Sequence, residues 1–465
     1  MVMVRKNSQA GVPFQVAVIG AGASGTLVTA QFRKLAPNRR LALIGNAPRP
    51  ARGVAYESPY RANLLNVAAG NMSAFPDNKN HFVDWIKDRL ADSDAGTFAP
   101  RTLYGEYLAN ILDEASHQTE NIEYISDTAV GLSRQKDFWI VRLENGSSLA
   151  AYSVVLAFGN LLAPSDPIDF SAVKANYWRN PWDPDVALRL DSDAPVLLIG
   201  TGLTMVDVAL SLREMDHRGP VHAISRHGRL YQSHKPYQAR PLPELPKEFK
   251  SPVGALHWIR QQVRTAKQTG SDWRAVIDSL RPHTATIWQS WNLHQRASFL
   301  RHARNLWDIH RHRMSHEVSD QLSILIEDRT LVIHRGRLVS AIQNGQNADV
   351  TWKDTDSGDL HTLNIARIVN CTGPSRDYSN IQSPLIAGLR AAGWIVPDAL
   401  RLGFETDSDG RFIAANGQPA QGLFTLGPVR IPALWESIAI PEIRNQALAL
   451  AELLVSEMVE TQVSA

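Results

Sequence analysis

Cysteine is nearly absent, with Cys371 alone in 465 residues. That excludes a disulfide framework, a thiolate metal cluster and a CxxC redox pair within one chain. Long apolar runs are missing too, and none approaches the length of a membrane span. The stretch Met1 to Pro13 carries Arg5 and Lys6 but no apolar core of the kind a secretion signal needs, so a cytoplasmic protein without a membrane partner is expected. An excess of one charge is also lacking: 48 basic and 46 acidic side chains leave a formal net charge of +2. No basic block alternates with aromatics, so nucleic acid is not an expected partner.

What is present is enough apolar material, 44% of the residues, to fill two or three packed units in a chain of this length. Phe14 to Gly20 reads as a strand ending in glycines, Ser24 to Leu35 as a helix and Leu41 to Ile44 as the next strand. Helices are expected over Asn80 to Leu90 and Leu103 to Ser116, then a hairpin from Asn121 to Ala151 turning at Asn145-Gly146. Val154 to Gly159 is a buried-type strand. The pattern restarts with a strand at Val196 to Gly200, a helix at Met205 to Arg213 and a strand at Val221 to Ser225. Between Pro243 and Ser319, Trp, His, Arg and Leu recur at helical spacing, broken at Pro252, Gly270 and Pro282, which predicts an inserted helical subdomain. Leu331 to Val339, Ala348 to Trp352, Ile368 to Gly373 and Leu423 to Gly427 read as strands, and a last helix starts near Pro441.

Two glycine-rich turns carry the chemistry. Gly20-Ala21-Gly22-Ala23-Ser24-Gly25 follows a strand and opens a helix, the setting in which GxGxxG binds a dinucleotide. The first glycine permits the turn, the second lets a diphosphate approach, the third seats the helix, and the helix N-terminus attracts the phosphates. The acid that ordinarily ends the second strand and holds a ribose is replaced by Gly45-Asn46, and Asn46 is the candidate ribose contact. Gly200-Thr201-Gly202-Leu203-Thr204-Met205 repeats the turn with Met205 in place of the third glycine. Gly200, Gly202 and Thr204 are its candidate nucleotide contacts. Arg226, after the following strand, puts a cation where an acid selects NADH, which favours the 2′-phosphate of NADPH. The other reading of Arg226 is a solvated surface residue. A two-dinucleotide enzyme with one cysteine is not a disulfide reductase.

Further motifs join these: Arg52-Gly53-Val54-Ala55-Tyr56, Leu64-Leu65-Asn66-Val67, Met72-Ser73-Ala74-Phe75-Pro76, Arg101-Thr102-Leu103-Tyr104-Gly105-Glu106-Tyr107, Trp307-Asp308-Ile309-His310-Arg311, Asn370-Cys371-Thr372-Gly373-Pro374 and Leu434-Trp435-Glu436. With them the chain resembles, nearly end to end, the FAD/NAD(P)-binding flavoprotein monooxygenase group that includes bacterial FAD-dependent urate hydroxylase and an aspartate N-monooxygenase. The resemblance implies an α/β fold of two Rossmann-like domains. An FAD domain would be built from residues 1–165 and 365–465, and an NAD(P) domain from 190–364, with the helical insert at about 243–319. It also implies an enzyme in which NAD(P)H reduces FAD, O2 adds at flavin C4a and one oxygen passes to a small polar substrate. Urate is the leading substrate, an amino-acid N-hydroxylation is the alternative, and a non-oxygenating flavoprotein is the alternative of another class.

On that resemblance Tyr56, Asn66, Met72 and Ser73 are the candidate catalytic residues at the flavin ring. Asn66 stands first because an amide both donates and accepts hydrogen bonds; a turn cap, and packing for Met72 and Tyr56, are the competing readings. Arg52 and Gly53 are placed along the cofactor, and Gly159, Gly373 and Gly427 where strands end beside it. Arg101 has two readings, a cofactor phosphate or an ion pair with Glu106. Pro441 opens a helix aimed at the flavin, a position where a missing N–H costs nothing. Arg376, Arg430 and Trp435 are the candidate substrate contacts, the arginines suiting an anion. His302, His310, His312 and His316 crowd the insert, but interleaved arginines and the lack of carboxylates at ligand spacing argue for a basic helical surface, and no metal is expected.

Overall fold

The computed structural model describes residues 12–117, 121–160, 166–183, 190–242, 244–374, 377–378, 381 and 383–463. Two sheets organise it. In the first, β1 (Phe14–Ile19), β2 (Leu41–Ile44), β3 (Ile122–Ile125), β6 (Ser148–Leu156) and β15 (Pro419–Thr425) run parallel in the order β15-β6-β1-β2-β3. All four residues of β2 are buried, which requires both faces of the sheet to be covered. Alternation along the strands divides those faces. Val16, Val18, Leu41 and Leu43 pack with helices α1 (Ala23–Leu35), α4 (Arg101–His117) and α14 (Ile440–Val463). Ala17, Ile19, Ala42 and Ile44 face β5 (Phe138–Leu143) and α12 (Pro384–Ala391).

The segment from 121 to 151 is not one hairpin. Its start, β3, is a short apolar strand that β2 takes up in parallel, and two antiparallel hairpins follow, β4 (Ala129–Gln135) with β5 and β5 with β6. Asn145-Gly146 makes the second of these turns.

The second sheet has the order β12-β11-β10-β9-β8-β13-β7. Its strands β8 (Val196–Ile199), β9 (Val221–Ser225), β10 (Leu331–Asn344), β13 (Arg367–Asn370) and β7 (Tyr177–Trp178) are parallel, and β11 (Asn347–Asp354) and β12 (Leu360–Ile365) form an antiparallel extension. Because β13 lies between β8 and β7, residues 367–370 and 177–178 belong to this sheet. The boundaries at 365 and 190 therefore move. The strands before Gly159 and Gly373 end at Leu156 and Asn370, so both glycines sit on the connections.

The insert folds as α6 (Pro252–Gln268), α7 (Trp273–Ser279), α8 (Thr284–Ser290), α9 (Leu293–His302) and α10 (Arg304–Arg311). Local chemistry sets these limits. Ser251 caps α6 with Pro252 at its first position, Asp272 caps α7, and Asn292 with Gln295 forms a reciprocal capping box on α9. Helix α11 (His316–Glu327) instead buries Val318, Leu322 and Leu325 against the second sheet's domain. The insert's core of Leu280, Trp288, Trp291 and Phe299 also takes in Ile431 and Trp435 from the far end of the chain.

Candidate active site

The site grows from the two glycine turns. At Gly20 φ is +116°, and a Cβ there would lie 2.3 Å from the Ala157 carbonyl oxygen. Gly200 repeats this, at φ +109° with a Cβ position 2.8 Å from the Cys371 carbonyl oxygen. In both domains the chain after the neighbouring parallel strand presses on the first glycine, so only glycine fits. Gly25 sits so close that its Cβ would meet the Gly20 oxygen at 1.9 Å; its counterpart Met205 fills the place with a fully buried side chain.

Gly22 and Gly202 are the N-caps of α1 and α5 (Leu203–Glu214). Neither helix has a capping side chain or an acid in its first turn. The amides of Ala23 and Ser24, and those around Thr204, thus head helices whose positive ends no side chain caps, an arrangement that suits an anion.

Other segments close on the first turn. The Ala51 N–H donates to the Ala21 carbonyl (2.8 Å), which folds the 45–53 loop over it, and the Cβ position of Gly22 is 3.4 Å from Gly53 Cα. From the other end of the chain comes Gly427, whose Cβ position is 3.2 Å from Ser24 Oγ. The Gly427 N–H donates to Gln446 Oε1 of α14 (3.0 Å), the helix that has Pro441 as its second residue. Gly20, Gly22, Ala23, Ser24, Gly25, Gly53 and Gly427 are therefore brought together, as residues that hold one diphosphate-bearing cofactor would be. Asn46 is exposed at the end of β2, 3.5 Å from Thr128 Oγ1, and the Arg52 stem packs on Gly105.

At the second turn Thr201 donates to the Arg229 carbonyl (2.7 Å) and pairs with Ser225 Oγ (2.8 Å), tying the turn to the end of β9. Arg226 lies just beyond, exposed, and makes no ion pair among the described residues. Burial, and then Arg229, Arg226, Arg335 and Arg337, hold His227 below the usual histidine range.

The stretch 56–75 lies where the two domains meet, the Arg61 and Ala62 N–H groups donating to Glu214 of α5. The Tyr56 ring is 4.7 Å from that of Tyr104, and burial pushes its phenol up to about 12, so it stays protonated. The Asn66 side chain is half-buried with no hydrogen bond among the described residues, while its carbonyl accepts from His234 Nε2 (3.0 Å) of the other domain. That bond fixes the tautomer, since a carbonyl only accepts, and burial followed by Arg313 lowers His234 to about 4, keeping it neutral.

Several sequence-derived roles change here. Met72 is 2% exposed in the core, so it packs. Ser73 is fully buried, with its hydroxyl bridging the Asn78 (2.6 Å) and Phe75 (3.1 Å) carbonyls; it builds a turn. Arg101 does not pair with Glu106. It pairs with Asp207 of α5 (2.9 Å) and donates to the Leu64 carbonyl (3.1 Å), clamping one domain to the other. Arg430 is 5% exposed and donates to the Asp407 and Ser408 carbonyls, which leaves it no role with substrate. Trp435 stacks on Trp288 of the insert at 4.8 Å and is a packing contact. Arg376 lies outside the described residues.

Two contacts escaped the sequence reading. His234 gave no local sign of reaching Asn66. Arg311 and Glu436, both inside quoted motifs, form a buried pair in which Nε (3.0 Å) and Nη2 (2.8 Å) donate to one carboxylate oxygen. Glu436 Oε1 has no hydrogen-bond partner among the described residues, and burial raises this carboxyl against the pull of Arg311.

Residues 17–161 match a family described as FAD-NAD(P)-binding. A search of curated proteins finds no match. Among solved structures, the chain is similar to L-lysine 6-monooxygenase from Pseudomonas syringae, at 17% identity and TM-score 0.68 over 95% of this chain and 99% of that one. The ornithine N-hydroxylase of Kutzneria sp. 744, solved with reduced FAD, NADP+ and L-ornithine, gives 14% identity and TM-score 0.65 over 96% and 100%. The cadaverine monooxygenase of Erwinia amylovora, solved with FAD, gives 11% and 0.65 over 96% and 95%. At these identities the likeness establishes the fold: an α/β architecture of two Rossmann-type domains of the FAD/NAD(P)-binding kind.

Proposed function

We propose that this chain is an FAD-dependent, NADPH-consuming monooxygenase that hydroxylates the nitrogen of a small amine or amino acid. The observation that carries this is the pair of uncapped helix N-termini, one per domain; where the domains meet, Asn66 adds an amide with no hydrogen bond among the described residues. FAD held on the first turn would supply the oxygen-activating chemistry, and NADPH on the second the electrons. The chain's own part is positional: Asn66 presents a donor and an acceptor to the substrate, neutral His234 holds its backbone, and the Arg101–Asp207 clamp keeps the two turns in register.

Nitrogen is preferred to urate because the similar structures named above act on ornithine, lysine and cadaverine by their own descriptions. Ornithine, lysine, cadaverine, aspartate and urate should be offered to the purified protein with NADPH and labelled O2. An amine that accelerates NADPH oxidation and yields a labelled hydroxylamine supports the proposal. Labelled hydroxyurate in its place would establish the urate reading, and product without label would make the protein a dehydrogenase.

Reductant choice has its own test. Arg226→Glu should raise the KM for NADPH by about tenfold or more, the loss of one charge-assisted hydrogen bond of roughly 1.5–3 kcal/mol, and leave NADH kinetics unchanged. Equal effects on both nucleotides would remove Arg226 from the 2′-phosphate site.

A further inference from the structure

The helical insert carries a half-open cavity of about 550 Å3, lined by Trp273, Trp288, Trp291, Phe299, Trp307 and Trp435 among other apolar side chains. A concave hollow of this size with apolar walls has the dimension of a ligand site. Its polar lining is sparse. Thr284 Oγ1 already donates to the Arg281 carbonyl and His310 Nδ1 engages that of Leu306. What remains is Arg260 and Arg264, one turn apart on α6 and exposed, with no ion pair among the described residues. The Trp307 indole N–H is buried without a partner among the described residues.

We infer that this cavity binds an elongated apolar molecule ending in a carboxylate, its chain among the tryptophans and its charge on Arg260 and Arg264. The site goes beyond the proposed oxygenation, which concerns a small polar substrate between the glycine turns. It also reaches the cofactor side of the molecule. Trp435, one of its walls, sits at φ +61° in a loop held by Trp288 Nε1 on the Pro432 carbonyl (2.7 Å), and Ser437, two residues on, donates to the Gly427 carbonyl (2.6 Å).

Decanoate titrated into the purified full chain should bind saturably at one site, read by calorimetry and by tryptophan emission. Decyltrimethylammonium, equal in chain and opposite in charge, should bind at least about tenfold more weakly, and each methylene removed from decanoate should weaken binding roughly fourfold. Arg260→Gln with Arg264→Gln should erase the preference for the anion. Ala303→Trp, or Leu256→Trp as a second way to fill the cavity, should abolish binding with circular dichroism unchanged. The inference fails if decanoate does not saturate, if the two surfactants bind alike, or if binding survives in a folded, cavity-filled variant.

Discussion

Gly22→Val should give a folded protein that has lost its flavin. Gly22 is extended, at φ −90° and ψ −165°, a conformation any residue adopts, and its Cβ position keeps 3.4 Å from Gly53 Cα. Stability should therefore change by no more than about 1 kcal/mol. The added methyl groups, however, enter the gap between the turn and Gly53, across the N-terminus of α1, where a diphosphate has to lie. Losing one or two charge-assisted hydrogen bonds of roughly 1.5–3 kcal/mol each predicts FAD affinity lower on the order of a hundredfold. Visible absorbance per chain measures it, Gly22→Ala should fall between, and a yellow, fully loaded Gly22→Val protein would mean that FAD does not sit on this turn. Gly20→Val is a poor substitute because it collides with Ala157 and forbids the fold first.

Arg311→Met should be the most damaging single change to stability, about 3–5 kcal/mol by denaturant unfolding near neutral pH. It strands Glu436, whose side chain is 7% exposed, next to Glu442. The pH dependence follows from the direction of the carboxyl's shift. Burial already raises Glu436, and without Arg311 it rises further. Between the unfolded value of about 4.3 and the folded one, the folded state holds the extra proton, so stability declines as pH rises through that window. The defect should be small near the lower limit and complete above the upper one. Arg311→Met with Glu436→Gln should recover most of the loss; if the double variant is as unstable as the single, the pair is not what joins the insert to the 431–437 loop.

The parts legible in the sequence were those with a local cause. LALI after a helix announces the next strand; GAGASG and GTGLTM announce strand, turn and helix; Pro252, Gly270 and Pro282 punctuate the insert. The parts that were not legible depend on pairs far apart in the chain. Nothing near Arg101 points to Asp207, 106 residues on, and a cation beside Glu106 looks as ready for a helical ion pair. Arg430 reads as an exposed cation until the 407–410 turn closes over its guanidinium. Ser73 has the composition of a reactive hydroxyl and the geometry of a turn. Strand β3 was assigned to a hairpin because antiparallel neighbours are the local expectation, whereas its partner β2 lies some eighty residues earlier.

The position of β15, hydrogen-bonded to β6 and continued by a helix packed on α1, bears on how the polypeptide matures. During synthesis the GAGASG turn leaves the ribosome several hundred residues before the strand and helix that complete its surroundings. The nucleotide domain can collapse in the meantime, but the first sheet keeps an open flank until translation is nearly over. Pairing at such separation in sequence is slow. A nascent chain stalled before Pro419 should thus be a client for chaperones, and cofactor loading a late step.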